Sequence, residues 1–194
     1  MKITVIRHGQ TNYNKKDLCN GLPSPKVHLT DLGKKQAQVA AKKLATKKIE
    51  AIFISELRRS KQTAEIINKY HKVPLFMDGR LNDRSMGVFE DQPAKSFYAW
   101  RDKQVNPWTV KPRGGESYEQ MKKRVGAFLH DLEKLDFKNV LIVTHLPVVK
   151  VIRGYFKKLD DKTMDKLTEK DIPNCKVMNF QIKKSDGYGG YRKL

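Results

Sequence analysis

Three short apolar runs in this 194-residue chain end in the same kind of residue, and that shared ending constrains the fold more than any other feature. Residues 3–6 (ITVI) run into Arg7-His8-Gly9, residues 51–54 (AIFI) into Ser55-Glu56-Leu57-Arg58-Arg59, and residues 140–143 (VLIV) into Thr144-His145. Apolar, largely β-branched runs of four between polar clusters read as buried strands. Longer segments with helical spacing separate them. Thr30 is placed to cap a helix with Ala37, Ala40, Ala41 and Leu44 on one face. Ser55 reads as the cap of a second helix through Ala64, Ile66 and Ile67. Ser117 with Gln120 reads as the capping box of a third, with Met121, Val125, Phe128, Leu129, Leu132 and Leu135 as its stripe. Residues 73–77 and 176–182 add two strands, and a Gly/Tyr-rich tail follows. The alternation predicts an α/β protein in one domain over residues 1–194.

Residues 84–113 break the rhythm, with Pro93, Pro107 and Pro112 and with Trp100 and Trp108 among charges. They read as an excursion with one helix near 94–103, a surface connection or a substrate lid over one end of the sheet.

In an open parallel sheet, ligands bind at the carboxyl ends of the strands. If the three runs are parallel neighbours, His8, His145 and up to three arginines converge there and form an anion pocket. These residue types suit phosphoryl transfer, where the protein contributes mostly positioning and positive charge. Arginine forks match phosphate geometry. Imidazole is a competent nucleophile near neutral pH when one nitrogen is free and the other N–H is held.

The string I6-R7-H8-G9-Q10-T11-N12-Y13-N14 resembles the N-terminal signature of the histidine phosphatase superfamily, which includes the cofactor-dependent phosphoglycerate mutases. The resemblance continues, in family order, through H28-L29-T30-D31-L32-G33-K34-K35-Q36-A37, S55-E56-L57-R58-R59-S60-K61-Q62-T63-A64, G114-G115-E116-S117 and V143-T144-H145. It implies a three-layer α/β/α sandwich around a mostly parallel sheet. By position it makes His8 the phosphorylated nucleophile, Arg7 and Arg59 the phosphoryl-gripping arginines, and His145 the second, cationic pocket histidine. It places Asn14, Gly21 and Leu146 at the substrate site and leaves Arg58 as a surface charge. The segment L81-N82-D83-R84-S85-M86-G87-V88-F89-E90 is similar to the family's L-x-E-x-x-x-G-x-x-E, so Asp83 stands where a proton-donating Glu is usual. Asp83 is one methylene shorter, and a general acid must be protonated near neutral pH, so Glu90 is the alternative donor.

The resemblance implies a phosphomonoesterase acting on a small phosphorylated metabolite, with no cofactor and no metal. The chain is shorter than typical mutases and 84–113 lacks their extended segment, which favours hydrolysis over mutase-type transfer. The formal net charge of +19 raises a third reading, an inactive protein binding RNA or another polyanion. The lysines, however, come as scattered pairs that suit solvated helix faces, and Arg7, His8, Arg59 and His145 are all retained. Cys19 and Cys175 match no zinc or redox spacing. With no apolar run long enough for a membrane span and no visible signal peptide, a cytoplasmic protein is expected.

Overall fold

The computed structural model describes residues 1–182, and the Gly/Tyr-rich tail lies outside them. Five strands form one sheet: β1 (Lys2–Arg7), β2 (Ala51–Ile54), β3 (Leu75–Met77), β4 (Asn139–Thr144) and β5 (Val177–Gln181). Their order is β3-β2-β4-β1-β5, parallel except for β5, which runs antiparallel to β1.

Alternate residues of each strand face opposite sides of the sheet, so one sheet feeds two cores. Ile3, Val5, Phe53, Val140 and Ile142 pack with α5 (Tyr118–Glu133) and α6 (Leu146–Lys157). Ile6, Ile52, Ile54, Leu141 and Val143 pack with α2 (Asp31–Leu44) and α3 (Arg58–Asn68). Burying each such Ile or Leu side chain contributes about 1.5–3 kcal/mol. The result is the expected α/β/α sandwich.

Thr30 caps α2 by accepting the Gly33 N–H at 3.0 Å, and Ser117 with Gln120 forms the capping box of α5. Ser55 does not cap α3. That helix begins at Arg58, with Leu57 at its cap and no side-chain hydrogen bond there; Ser55 stands two residues earlier, its hydroxyl against a histidine and the Leu57 N–H. Leu135 also falls outside its predicted stripe: α5 ends at Glu133, the chain turns toward β4, and Leu135 is exposed. The short α1 (Asn12–Lys16) escaped the sequence reading because its capping box, Thr11 with Asn14, lacks the usual Glu or Gln.

Between residues 84 and 113 lie a 3-10 turn (Gly87–Phe89) and the expected helix, α4 (Ala94–Arg101). Phe89, Phe97 and Trp100 cluster, and Trp108 meets Tyr118 of α5 edge-on at 4.4 Å. The excursion is thus tied to the sandwich by aromatic packing. The helix α7 (Asp161–Lys166) precedes β5. No helix of the described residues is long and apolar enough to cross a membrane.

Candidate active site

The register of β1 on β4 pairs Arg7 with Thr144, so His8 and His145 leave adjacent strands at the same level. The His8 N–H donates to the Thr144 carbonyl at 2.9 Å. The two rings stand 5.1 Å apart between centroids. Helix α3 then supplies Arg59 and, one turn on, Thr63, whose hydroxyl accepts the Gly9 N–H at 3.0 Å. The loop carrying His8 is thereby fixed to the helix carrying Arg59.

His8 Nδ1 lies 2.7 Å from the Gly9 carbonyl oxygen. A carbonyl only accepts, so Nδ1 carries the proton and Nε2 keeps its lone pair. Arg59 Nε–H points at that lone pair at 3.2 Å and is shared with His145 Nδ1, also at 3.2 Å. Arg59 is fully buried, and its Nη2 donates to the Asn20 carbonyl at 2.8 Å and to Asp83 Oδ2 at 2.9 Å. The same Asp83 oxygen stands 3.6 Å from His145 Nδ1. Arg7 is buried too. Its Nη1 donates to the Ile172 carbonyl at 3.0 Å, its Nη2 pairs with Glu169, and its Nε is buried with no partner among the described residues.

Burial, with Arg59 and Arg7 alongside, holds His8 well below the ordinary imidazole range. Burial, then Arg59 and His8, do the same to His145. With the Arg59 Nε–H aimed at its Nδ1, burial first and then the neighbouring arginines disfavour the cationic form of His145 that the family resemblance implies, as long as no anion is present. Stability should report this. In the unfolded chain both rings titrate near 6.5, so below that pH the unfolded state binds protons that the native state refuses. The native protein should hold its stability above that value and lose on the order of 1 kcal/mol per pH unit per ring as pH falls below it. Denaturant midpoints at about pH 7.5 and 5.5 should drop further in the wild type than in His8→Gln. Equal losses would mean that His8 is charged in the native state.

Glu90 does not reach the histidines by any hydrogen bond. Its Oε1 accepts the Met86 N–H at 2.7 Å and its Oε2 the Gly21 N–H at 2.8 Å, so it braces two loops. Burial pushes its carboxyl up. Gly21 is needed for close approach: a Cβ there would overlap the Arg84 carbonyl oxygen. Asn14 spends its carboxamide oxygen on the Thr11 N–H at 3.1 Å, in the cap of α1. Leu146 is half-buried as the first residue of α6, directly after His145. Arg58 is exposed and donates to the Pro25 carbonyl, as expected of a surface charge.

Three residues near this centre were not assigned to the site from the sequence. Ser55 contacts His145 at 2.8 Å. Arg124 binds Glu116 through two nitrogens, at 2.6 and 2.7 Å, and donates to the carbonyls of Asn82 and Asp83, fixing the loop that presents Asp83. Glu116 of the G-G-E-S string was the available signal. Arg84 is buried against Phe97, 4.8 Å from its ring, and Tyr118; among the described residues its Nε has no partner and no carboxylate forms an ion pair with it, although the Asp83 carboxylate acts on it electrostatically. No sequence pattern marks such an arginine, since its surroundings come from α4 and α5. No group of three or more His, Cys, Asp or Glu suited to a metal ion occurs among the described residues.

Two imidazoles at neighbouring strand ends, ringed by buried arginines and a carboxylate, define an α/β protein of the phosphoryl-transfer class. The profile of the histidine phosphatase superfamily (branch 1) matches residues 3–188, and the chain belongs to that family. Its members work through a phosphohistidine, and this chain is a phosphoric monoester hydrolase of that kind. It is 34% identical to the "Putative phosphoserine phosphatase 2" of Hydrogenobacter thermophilus over 74% of this chain and 72% of that one. It is 35% identical to fructose-2,6-bisphosphatase TIGAR B of Danio rerio over 67% of its length, which spans only 52% of that relative. Among solved structures, Bacillus stearothermophilus YhfR superposes with a TM-score of 0.82 at 23% identity, covering 94% of this chain and 92% of that one, a likeness of fold.

Proposed function

We propose that His8 attacks the phosphorus of a small phosphate monoester through Nε2, and that Asp83 protonates the departing oxygen. The observation that carries this is the His8 tautomer: Nδ1–H is locked on the Gly9 carbonyl and Nε2 faces the arginines bare. The ester oxygen leaves with its bonding pair as the P–O bond breaks and takes a proton from Asp83, which a monoanionic substrate can supply. Asp83 then removes a proton from water, the hydroxide attacks the phosphohistidine, and phosphate leaves. The Arg7 Nε and the reoriented Arg59 fork stabilise the equatorial oxygens. No step needs a metal or organic cofactor.

The buried Arg84 narrows the substrate. A guanidinium packed on aromatic rings, with no ion pair among the described residues and only the nearby Asp83 charge to offset it, favours an anion from outside. We take residues 84–113 as the covering wall of the substrate site and Arg84 as its grip on a second anionic group in the alcohol half. Relatives named as a putative phosphoserine phosphatase and a fructose-2,6-bisphosphatase support substrates of this type. Phosphate release should be measured over phosphorylated metabolites with and without a second anionic group. Arg84→Met should raise KM for the preferred dianionic substrate by roughly 10- to 100-fold and barely affect p-nitrophenyl phosphate. A uniform loss on both would remove Arg84 from substrate recognition. The cytoplasm suits this activity, and both Cys19 and Cys175 are free thiols.

A further inference from the structure

Ser55 follows β2, is fully buried, and leaves the start of α3 uncapped. Its hydroxyl lies 2.8 Å from His145 Nε2 and also accepts the Leu57 N–H at 3.3 Å. Across the ring, His145 Nδ1 accepts the Arg59 Nε–H at 3.2 Å. A nitrogen that accepts from a guanidinium carries no proton of its own, so the neutral ring bears its proton on Nε2 and donates it to Ser55 Oγ.

We propose that Ser55 is a positioning residue for the reaction, holding His145 as the Nε2–H tautomer so that Nδ1 faces the phosphoryl pocket and takes up a proton when the pocket fills. This rests on the histidine mechanism proposed above. The groups facing His145 are His8 and Arg7 from β1 and its end, Arg59 from α3, Arg124 from α5, and Asp83 from the loop that Arg124 fixes. Arginines outnumber the one carboxylate, so the empty site disfavours a further positive charge. A phosphoryl group with up to two negative charges reverses that balance. The added proton, drawn from the buffer, then sits on Nδ1 between Asp83 and the phosphoryl oxygens. With an apolar residue at position 55, Nε2–H would be buried without an acceptor, and the tautomer that bares Nδ1 would lose its support.

Nitrogen NMR of the full-length protein with labelled histidine reads both ring nitrogens of His145. Wild type is expected to show a protonated Nε2 and a bare Nδ1 when empty, and both protonated with saturating vanadate. Ser55→Ala should lose the single Nε2–H state. Its kcat/KM should fall by between about 10- and 100-fold, the value of a hydrogen bond to a charged group. The alkaline limb of its pH profile should move to lower pH, because the cation loses more than the neutral ring. Ser55→Thr, which keeps the hydroxyl, should restore tautomer and limb. A wild-type tautomer and pH profile in Ser55→Ala overturn the proposal even if turnover drops, as does a wild-type ring that stays singly protonated with vanadate bound. Failure of the histidine mechanism shows separately, as turnover that survives His8→Ala while the tautomer assignment stands.

Discussion

His8→Ala should lower turnover by on the order of 10⁴-fold or more, the scale on which removing a covalent nucleophile acts. The loss follows from the geometry of His8, which only His145 approaches within this cluster. His8 Nε2 is bare because its other nitrogen is committed to the Gly9 carbonyl at 2.7 Å. His145, 5.1 Å away between centroids, also turns a bare nitrogen toward Arg59, so it is the one rival acceptor for the phosphoryl group. Brief reaction with labelled substrate and an alkaline quench should leave acid-labile label on the protein. Peptide mapping separates the two sites, because His8 and His145 fall on distant segments. Label on the His8 peptide, absent from His8→Ala, is the expected result. Undiminished turnover in that variant would sink the mechanism, and label on the His145 peptide would exchange the two roles.

The second large effect belongs to Asp83, and leaving-group dependence reveals it. A proton donor matters most when the departing alkoxide is basic. Asp83→Asn should slow an alkyl phosphate by about 10²–10⁴ and p-nitrophenyl phosphate much less, since nitrophenolate leaves unaided. Asp83 lies within the histidine and arginine cluster: its Oδ2 is 2.9 Å from Arg59 Nη2 and 3.6 Å from His145 Nδ1. Glu90 is tied to the N–H groups of Met86 and Gly21, so Glu90→Gln should loosen that loop and slow both substrates alike. A selective loss in Glu90→Gln, with Asp83→Asn indifferent to leaving group, would move the acid to Glu90. Asp83→Glu tests reach: the extra methylene should preserve the leaving-group pattern if the carboxyl serves as donor.

The strands and main helices were legible because their signals are local. A run of four apolar residues, a Thr or Ser cap, and a 3–4 spacing of Ala or Leu each act within a few residues. The misreadings show where local signals stop. Ser55 has the chemistry of a helix cap, yet it stands two residues before the cap position of α3, and its hydroxyl meets both the Leu57 N–H and a histidine 90 residues away in sequence. The stripe of α5 continues to Leu135 in sequence, but the helix ends two residues earlier so that the chain can enter β4. What the sequence by itself determined was the α/β alternation that sends histidines and arginines to strand ends, and it nominated His8, Arg7, Arg59, Asp83 and His145 as the groups of the proposed mechanism. The tertiary structure alone decided that β1 and β4 lie side by side, and hence that His8 and His145 share one guanidinium N–H. It alone buried Arg84 between Phe97 and Tyr118, with no ion pair among the described residues. The physical reason is that proton positions and charge balance depend on which groups are packed within a few ångströms. That packing is set by strand order and burial, which no short stretch of sequence encodes.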